Sequence, residues 1–555
     1  MVESATKASK PGALRQEYAR NATGLVREVG LVDMLQFSAS NTTPLGLAVL
    51  FGLFTLTLFP RSNFYLDLLA ILLCGFFVWT MVALLSAAMP KVGGDYTINS
   101  RILTPALGFG ANLGAVVSAC IASGLWAWWF GSLGVSPMLN VMGTVLNNKT
   151  LTEWAATFSN DGQHQFQTFL VAVGVLTITT VLALLGTRVI LRAMTILFAI
   201  AMVGFLVDMV ILLFTSHDQF VQIINNTSGA TAYADTVTKG ASQGIYPSNG
   251  YSVSNTIGGI YYMSANALFV FTGFYLAPEF KRAGQRKRQF QVLWGSGFGQ
   301  GLLVMLGTFI FMRTVGYEFY VSALNGNFAQ AGLVGTAGYA YFAALVAQNS
   351  LVVILLALTF LGWFLPAQYI NAAIVQRCVF AWSFDRLAPR FLSSVSERFH
   401  TPVGAIVVTY FLSIVAGLWV AYSTNFFAVY AIGILFAFMP MIFMGISAVL
   451  VRSRRPDLYN GTQAELVYRG IHILPVAGAG SIVIGLGAIL LALIFHTNIG
   501  LLDSDVLPGI SYFHLAIVAP FVVLGIGALW YYAAVAYRRS QGIDLTLNYR
   551  QIPPE

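Results

Sequence analysis

Charge is scarce in this sequence. Only 9% of its 555 residues are Asp, Glu, Lys or Arg, against about 25% in soluble domains. So few charges cannot cover the surface of a soluble protein of this length, which excludes the three or four soluble domains that length alone would allow. Cysteine is nearly absent: Cys74, Cys120 and Cys378 are scattered and form no metal or redox pattern. The histidines, at 164, 217, 400, 472, 496 and 514, show no ligand spacing. No cluster of acids, His or Cys lies within an apolar run, so neither an enzyme centre nor a cofactor or metal is expected. The first thirty residues are polar and lead into no short apolar core with a cleavage site, so no cleaved signal peptide is expected.

Apolar sequence fills the space that charge leaves. Hydrophobic residues make up 57% of the chain, in runs that exceed the roughly 20 residues needed to cross a bilayer. A spanning barrel would show alternating segments of about ten residues instead. The fold class is therefore an all-α polytopic membrane protein. Twelve transmembrane spans are expected, at about 31–59, 66–89, 108–141, 166–186, 189–214, 256–278, 290–312, 338–376, 402–423, 425–451, 472–496 and 510–537. The third and eighth are long enough to break or to run past the membrane.

This arrangement sorts the basic residues. One side, which carries both termini, holds 25 Lys and Arg; the other holds Arg61, Lys149, Lys239 and Arg313. The asymmetry places both termini in the cytoplasm and the long 215–255 loop outside. The net charge of +8 is thus an orientation signal. Nucleic acid is not an expected partner, because no basic face is gathered on a soluble surface.

Span 1 is interrupted by Ser38-Ala39-Ser40-Asn41-Thr42-Thr43-Pro44-Leu45-Gly46, which holds five hydroxyl or amide side chains, one proline and one glycine. Pro44 cannot complete the helical ladder. Backbone groups freed at membrane depth must be buried in protein or line a wet cavity. A simple kink, its hydroxyls bonded to their own carbonyls, is the plainer alternative. Span 6 has a weaker interruption, Phe269-Val270-Phe271-Thr272-Gly273-Phe274-Tyr275. Interrupted helices at matching positions of two halves point to an inverted-repeat transporter with its site at the breaks.

Three stretches then carry a family resemblance. Pro90-Lys91-Val92-Gly93-Gly94-Asp95-Tyr96, followed by Arg101, Gly108-Phe109-Gly110 and Gly114, resembles the P-x-x-G-G-x-Y segment of the amino acid–polyamine–organocation (APC) superfamily permeases and the glycines after it. Glu279-Phe280-Lys281-Arg282-Ala283 is similar to their E-x-K-N-P. The stretch from Arg377 through Phe380-Ala381, Asp385-Arg386 and Pro389 to Thr401-Pro402 looks like their R-x-x-F-A-x-x-x-D-G-x-x-P … T-P segment. The departures are Asn41-Thr42-Thr43-Pro44 in place of a glycine-rich break, Tyr275 where an acid often follows the span 6 glycine, and Arg386 in place of the D-G glycine.

The resemblance implies a LeuT-like five-plus-five inverted repeat with helices 1 and 6 broken, plus two C-terminal helices. The parts would be a cytoplasmic tail at 1–30, repeats at 31–214 and 256–451 flanking the 215–255 external loop, a unit at 452–537, and a tail at 538–555. It implies a secondary active transporter of the amino acid permease type in the plasma membrane, coupled to H+ or Na+. Asn41, Thr42, Thr43 and Gly46 would hold a substrate carboxylate, and carbonyls near Phe269, Phe271, Thr272 and Gly273 the ammonium, with Phe269 as a gate. Asp208 is the acid placed deep in a span, either as a bystander near the outer interface or as a proton relay. A cationic substrate would want a buried acid in the pocket, so neutral amino acids are favoured over cationic ones or polyamines. A channel and a permease-like sensor that moves nothing remain open alternatives. Trp126, Trp128 and Trp129 are expected in the outer aromatic belt. Gly295 to Gly301 reads as close helix packing in span 7 and not as a phosphate loop.

Overall fold

The computed structural model describes residues 24–42, 55–158, 164–246, 250–282, 284–328, 339–423, 426–502, 505–507 and 509–553; of Thr42, 265–271, 339, 426–427 and 506–507 it describes the backbone alone. Helix dominates. The described strands form two short antiparallel hairpins, Val467–Tyr468 with Ile471–His472 and Asp505–Leu507 with Ile510–Ser511.

Among the described residues, ten helices are long and apolar enough to cross a membrane. They fall on the expected spans 2 to 5 and 7 to 12. Expected spans 1 and 6 are not among them: residues 43–54 of span 1 lie outside the described residues, and its helix at Leu31–Ala39 passes into a tight turn at Ser40–Thr42, while a helix at Val253–Ala267 passes into 3₁₀ geometry at Leu268–Glu279.

Side-chain caps start several spans. Asn63 accepts from the Leu66 amide at the head of span 2, Phe64–Ala88. Thr104 accepts from the Leu107 amide at the head of span 3, with Pro105 in the first turn. Asn349 caps span 8, Ser350–Phe384. Such caps satisfy amides that hydrocarbon could not.

One expectation is corrected and two features are added. Span 3 runs from Pro105 to Val145, with a wide turn at Phe130–Val135. Trp126, Trp128 and Trp129 therefore lie in its middle, and they are buried. Trp126 packs on Trp363 of span 8 and Trp129 on Tyr430 of span 10, with ring centroids 4.9 and 5.6 Å apart. These are core aromatics, not a belt. The 215–255 loop contains two helices, His217–Ser228 and Ala232–Gln243. The first opens on a reciprocal cap between Ser216 and Gln219 and buries Phe220 and Ile224, a pattern that its polar composition masks. Asp208, deep in span 5, is accompanied by a second fully buried acid at the end of a span: Asp67, in the first turn of span 2, packs against Gly259.

Span 3 is central, packing against spans 8, 9, 10 and 12. Span 7 packs against span 2, with Gly297 on Trp79 and Gly301 on Leu72, so the glycine run there serves helix contact. Spans 4, 5, 11 and 12 turn large apolar side chains outward, among them Phe166, Ile196, Val483 and Phe521, as lipid-facing helices must.

Candidate functional site

The two breaks meet. At Gly273 a Cβ would stand 2.9 Å from both Cβ and Oγ of Ser38, closer than real Cβ atoms come. The absence of a side chain at 273 is what allows the unwound stretch of span 6 to lie on span 1. The ends of the two segments are tied as well: the Val29 amide donates to the Glu279 carbonyl at 2.9 Å, and the Lys281 amide to the Val29 carbonyl at 3.1 Å.

Polar side chains of neighbouring spans serve the first break. Gln300 of span 7 donates through Nε2 to the Ala39 carbonyl at 2.7 Å. Gln36 donates to Ser40 Oγ at 2.5 Å. Asn371 of span 8 donates through Nδ2 to Asn41 Oδ1 at 3.1 Å and to the Ala367 carbonyl at 2.8 Å. Spans 7 and 8, with Gln36 of span 1 itself, thus serve the described part of the interruption.

Next to it lies a cavity of about 30 Å³, lined by Ala115, Ser118 and Ala119 of span 3, Thr272 and Tyr275 of span 6, Asn371 and Ile374 of span 8, and Ala437 and Pro440 of span 10. Thr272 is buried, and its Oγ1 has no hydrogen-bond partner among the described residues. Ser118 Oγ donates to the Gly433 carbonyl at 2.7 Å. A space of this size holds a water or two; a larger guest requires the broken segments to part.

Of the residues expected at the site, Asn41, Thr272 and Gly273 are brought together here. Thr42 lies in the turn of span 1, and Phe269 and Phe271 in the unwound stretch of span 6, each described by backbone alone. Thr43 and Gly46 lie outside the described residues. Asp208 sits elsewhere, fully buried on span 5, and its carboxylate oxygens have no hydrogen-bond partner among the described residues. Asn371, Ser118 and Tyr275 were missed as site residues. The signal for Asn371 was an amide at membrane depth, shared with Gln368 and Gln376 of the same helix.

The three motif stretches converge on the face expected to be cytoplasmic. Glu279 of the span 6 motif accepts from Arg377 of the span 8 motif, with Oε1 2.7 Å from Nη2 and 2.9 Å from Nε. Asp385 Oδ2 accepts from Arg101 Nη2 and from the Tyr96 hydroxyl, each at 2.7 Å. Tyr96 shares a further hydrogen bond with Tyr549 of the C-terminal tail at 3.0 Å, and the Arg101 guanidinium lies 4.7 Å from the centre of the Tyr549 ring. Arg386, in the place of the D-G glycine, keeps a left-handed backbone with φ of 64°, the conformation that makes glycine the usual choice there.

The comparisons agree with this geometry. A family model described as amino acid permease matches residues 36–538. Comparison with curated proteins gives no match. A match over nine-tenths of a chain whose spans break and meet in this way leaves one conclusion: the protein belongs to the amino acid permease family and is a membrane transporter of small molecules.

Proposed function

We propose that this transporter imports neutral amino acids by alternating access, driven by protons, through a five-plus-five inverted repeat. The observation that carries the reading is the cavity where the two breaks meet. Its described lining offers hydroxyls and an amide from Ser118, Thr272 and Asn371, and no acid or base. A cationic side chain would bring an uncompensated charge into that space. The substrate carboxylate is assigned to the segment Asn41, Thr42, Thr43 and Gly46, and the ammonium to carbonyls near Phe269 and Phe271. Spans 1, 2, 6 and 7 would rock against spans 3, 4, 5 and 8.

Counterflow in proteoliposomes tests it. Vesicles loaded with unlabelled alanine, serine and leucine should take up the tritiated forms, with no response to arginine or putrescine. Uptake of the cations alone would overturn the substrate class, and no exchange at all would leave a sensor. Thr272→Val keeps the shape and removes the unpartnered hydroxyl. It should weaken apparent affinity about tenfold, the equivalent of 1.4 kcal/mol.

The orientation is proposed from the charge split: termini in the cytoplasm of a plasma-membrane protein, and the helices at His217–Ser228 and Ala232–Gln243 outside. Single cysteines at Asp235 and Gln285 should react with impermeant maleimide from opposite faces of intact cells. Labelling of both from one face would sink the orientation.

A further inference from the structure

A second acid is wired to the broken span. Asp95 opens the short helix Asp95–Ile102, which follows span 2 on the face expected to be cytoplasmic. It is fully buried. Its Oδ1 accepts from the Tyr275 hydroxyl at 2.6 Å and from Asn112 Nδ2 at 2.9 Å, while its Oδ2 has no side-chain partner among the described residues. Tyr275 lines the central cavity. On the other side, the next two residues in the chain, Tyr96 and Thr97, line a separate pocket with Lys91, Pro278 and Asp385. The contact leaves no slack: at Gly94, where φ is +51°, a Cβ would stand 2.7 Å from the Phe274 ring and 2.8 Å from that of Tyr275.

We propose that Asp95 is the coupling carboxylate of this transporter and that Tyr275 carries the proton to it from the central cavity. The inference rests on the proton-driven reading given above and names the group that serves it. The Tyr275 hydroxyl hydrogen passes to Asp95 Oδ1, and the tyrosine oxygen takes in its place the incoming proton from a hydronium in the cavity, which is left as water. One proton moves and nothing is oxidised. When the unwound part of span 6 withdraws, Asp95 loses its donor, meets water and gives the proton to the cytoplasm.

The surroundings fit a group that changes charge. The titratable side chains that face Asp95 are Tyr275 from span 6 and Cys378 from span 8, and span 3 presents the neutral Asn112. Span 10 reaches this helix through Ser447, which bonds to Asn99. The nearby cations are engaged elsewhere, Arg101 with Asp385 and Arg377 with Glu279. Burial pushes the Asp95 carboxyl up to about 7, with the bonds from Tyr275 and Asn112 pulling the other way. Among the described residues the Asp208 carboxylate has no hydrogen bond to either broken segment, so it is the control.

The test uses pyranine-filled proteoliposomes given a mixture of the twenty amino acids. The wild type should acidify its lumen, and an inward gradient of one pH unit, 1.36 kcal/mol per proton, should drive about tenfold accumulation of the tritiated mixture. Asp95→Asn should lose both while still exchanging the mixture by counterflow, and Asp208→Asn should behave as wild type. Gradient-driven accumulation by Asp95→Asn overturns the proposal, as does its loss in Asp208→Asn alone. A wild type that exchanges but ignores the gradient defeats the proton-driven reading itself, and the proposal with it. Tyr275→Phe provides the second arm: proton influx should fall about a hundredfold if the hydroxyl relays, and unchanged influx overturns the relay.

Stability supplies a readout free of transport. The folded protein holds this proton to about pH 7, and the unfolded chain releases it near pH 3.9. Folding therefore binds a proton in that window, and stability falls as pH rises through it. The melting temperature of the wild type should drop relative to that of Asp95→Asn between those values. Parallel curves overturn the assignment.

Discussion

Replacing Asp385 with alanine should destabilise the protein by about 3–5 kcal/mol, the range found when one partner of a buried ion pair is removed. Arg101 and Asp385 have side chains 0% and 2% exposed, so the guanidinium left behind cannot reach water. Tyr96 loses the acceptor of its hydroxyl in the same step. Its remaining partner, Tyr549, can either donate to it or accept from it, but carries no charge. The measurement is the melting temperature of the detergent-solubilised protein, with and without a second change, Arg101→Met. Exchanging both members for apolar groups is often near neutral, so the double variant should recover most of the loss. A drop in Asp385→Ala that the second change does not relieve would mean that the cost lies in Tyr96 or in packing.

The second large effect is expected at Gly273, and it should appear in transport more than in folding. The methyl group of Gly273→Ala would stand 2.9 Å from Ser38 Cβ and Oγ, so the two broken segments must separate. Overpacking of this kind costs about 1–3 kcal/mol, and here it falls on the contact where the two breaks meet. Apparent affinity for a transported amino acid should fall tenfold or more, 1.4 kcal/mol per factor of ten. Gly273→Val should transport nothing measurable. The discriminating experiment is Ser38→Gly placed in Gly273→Ala. It removes both atoms that the methyl meets and should restore affinity to within a few-fold of wild type. If it does not, the contact is incidental to binding.

Both sites show where sequence reasoning reaches and where it stops. The break in span 1 was legible because hydroxyls, an amide and a proline in mid-membrane have no comfortable helical conformation. Gly273 was legible as an interruption but not as a contact, since its partner Ser38 lies 235 residues earlier in the chain. A separation of 180 residues likewise hid the bond from Tyr275 to Asp95. Asp95 reads there as part of a turn motif, and Tyr275 as an acid that had been lost. Asn371 was hidden differently: it is one of three amides, with Gln368 and Gln376, in a 35-residue helix, and only the position of Asn41 Oδ1 singles it out. The helices of the 215–255 loop were hidden by composition, because a Ser- and Asn-rich segment needs only a cap and two buried apolar residues to fold.

Tyr549 carries a consequence for how the protein is made. The cluster it completes draws on residues 96, 101 and 385, which are translated long before it. The described spans all precede this residue in the chain, so the Arg101 guanidinium gains this cover only once the tail has been made. A chain cut short after span 12 would therefore lack both the ring that covers Arg101 and the second partner of the Tyr96 hydroxyl, and this face would stay open in an otherwise complete bundle.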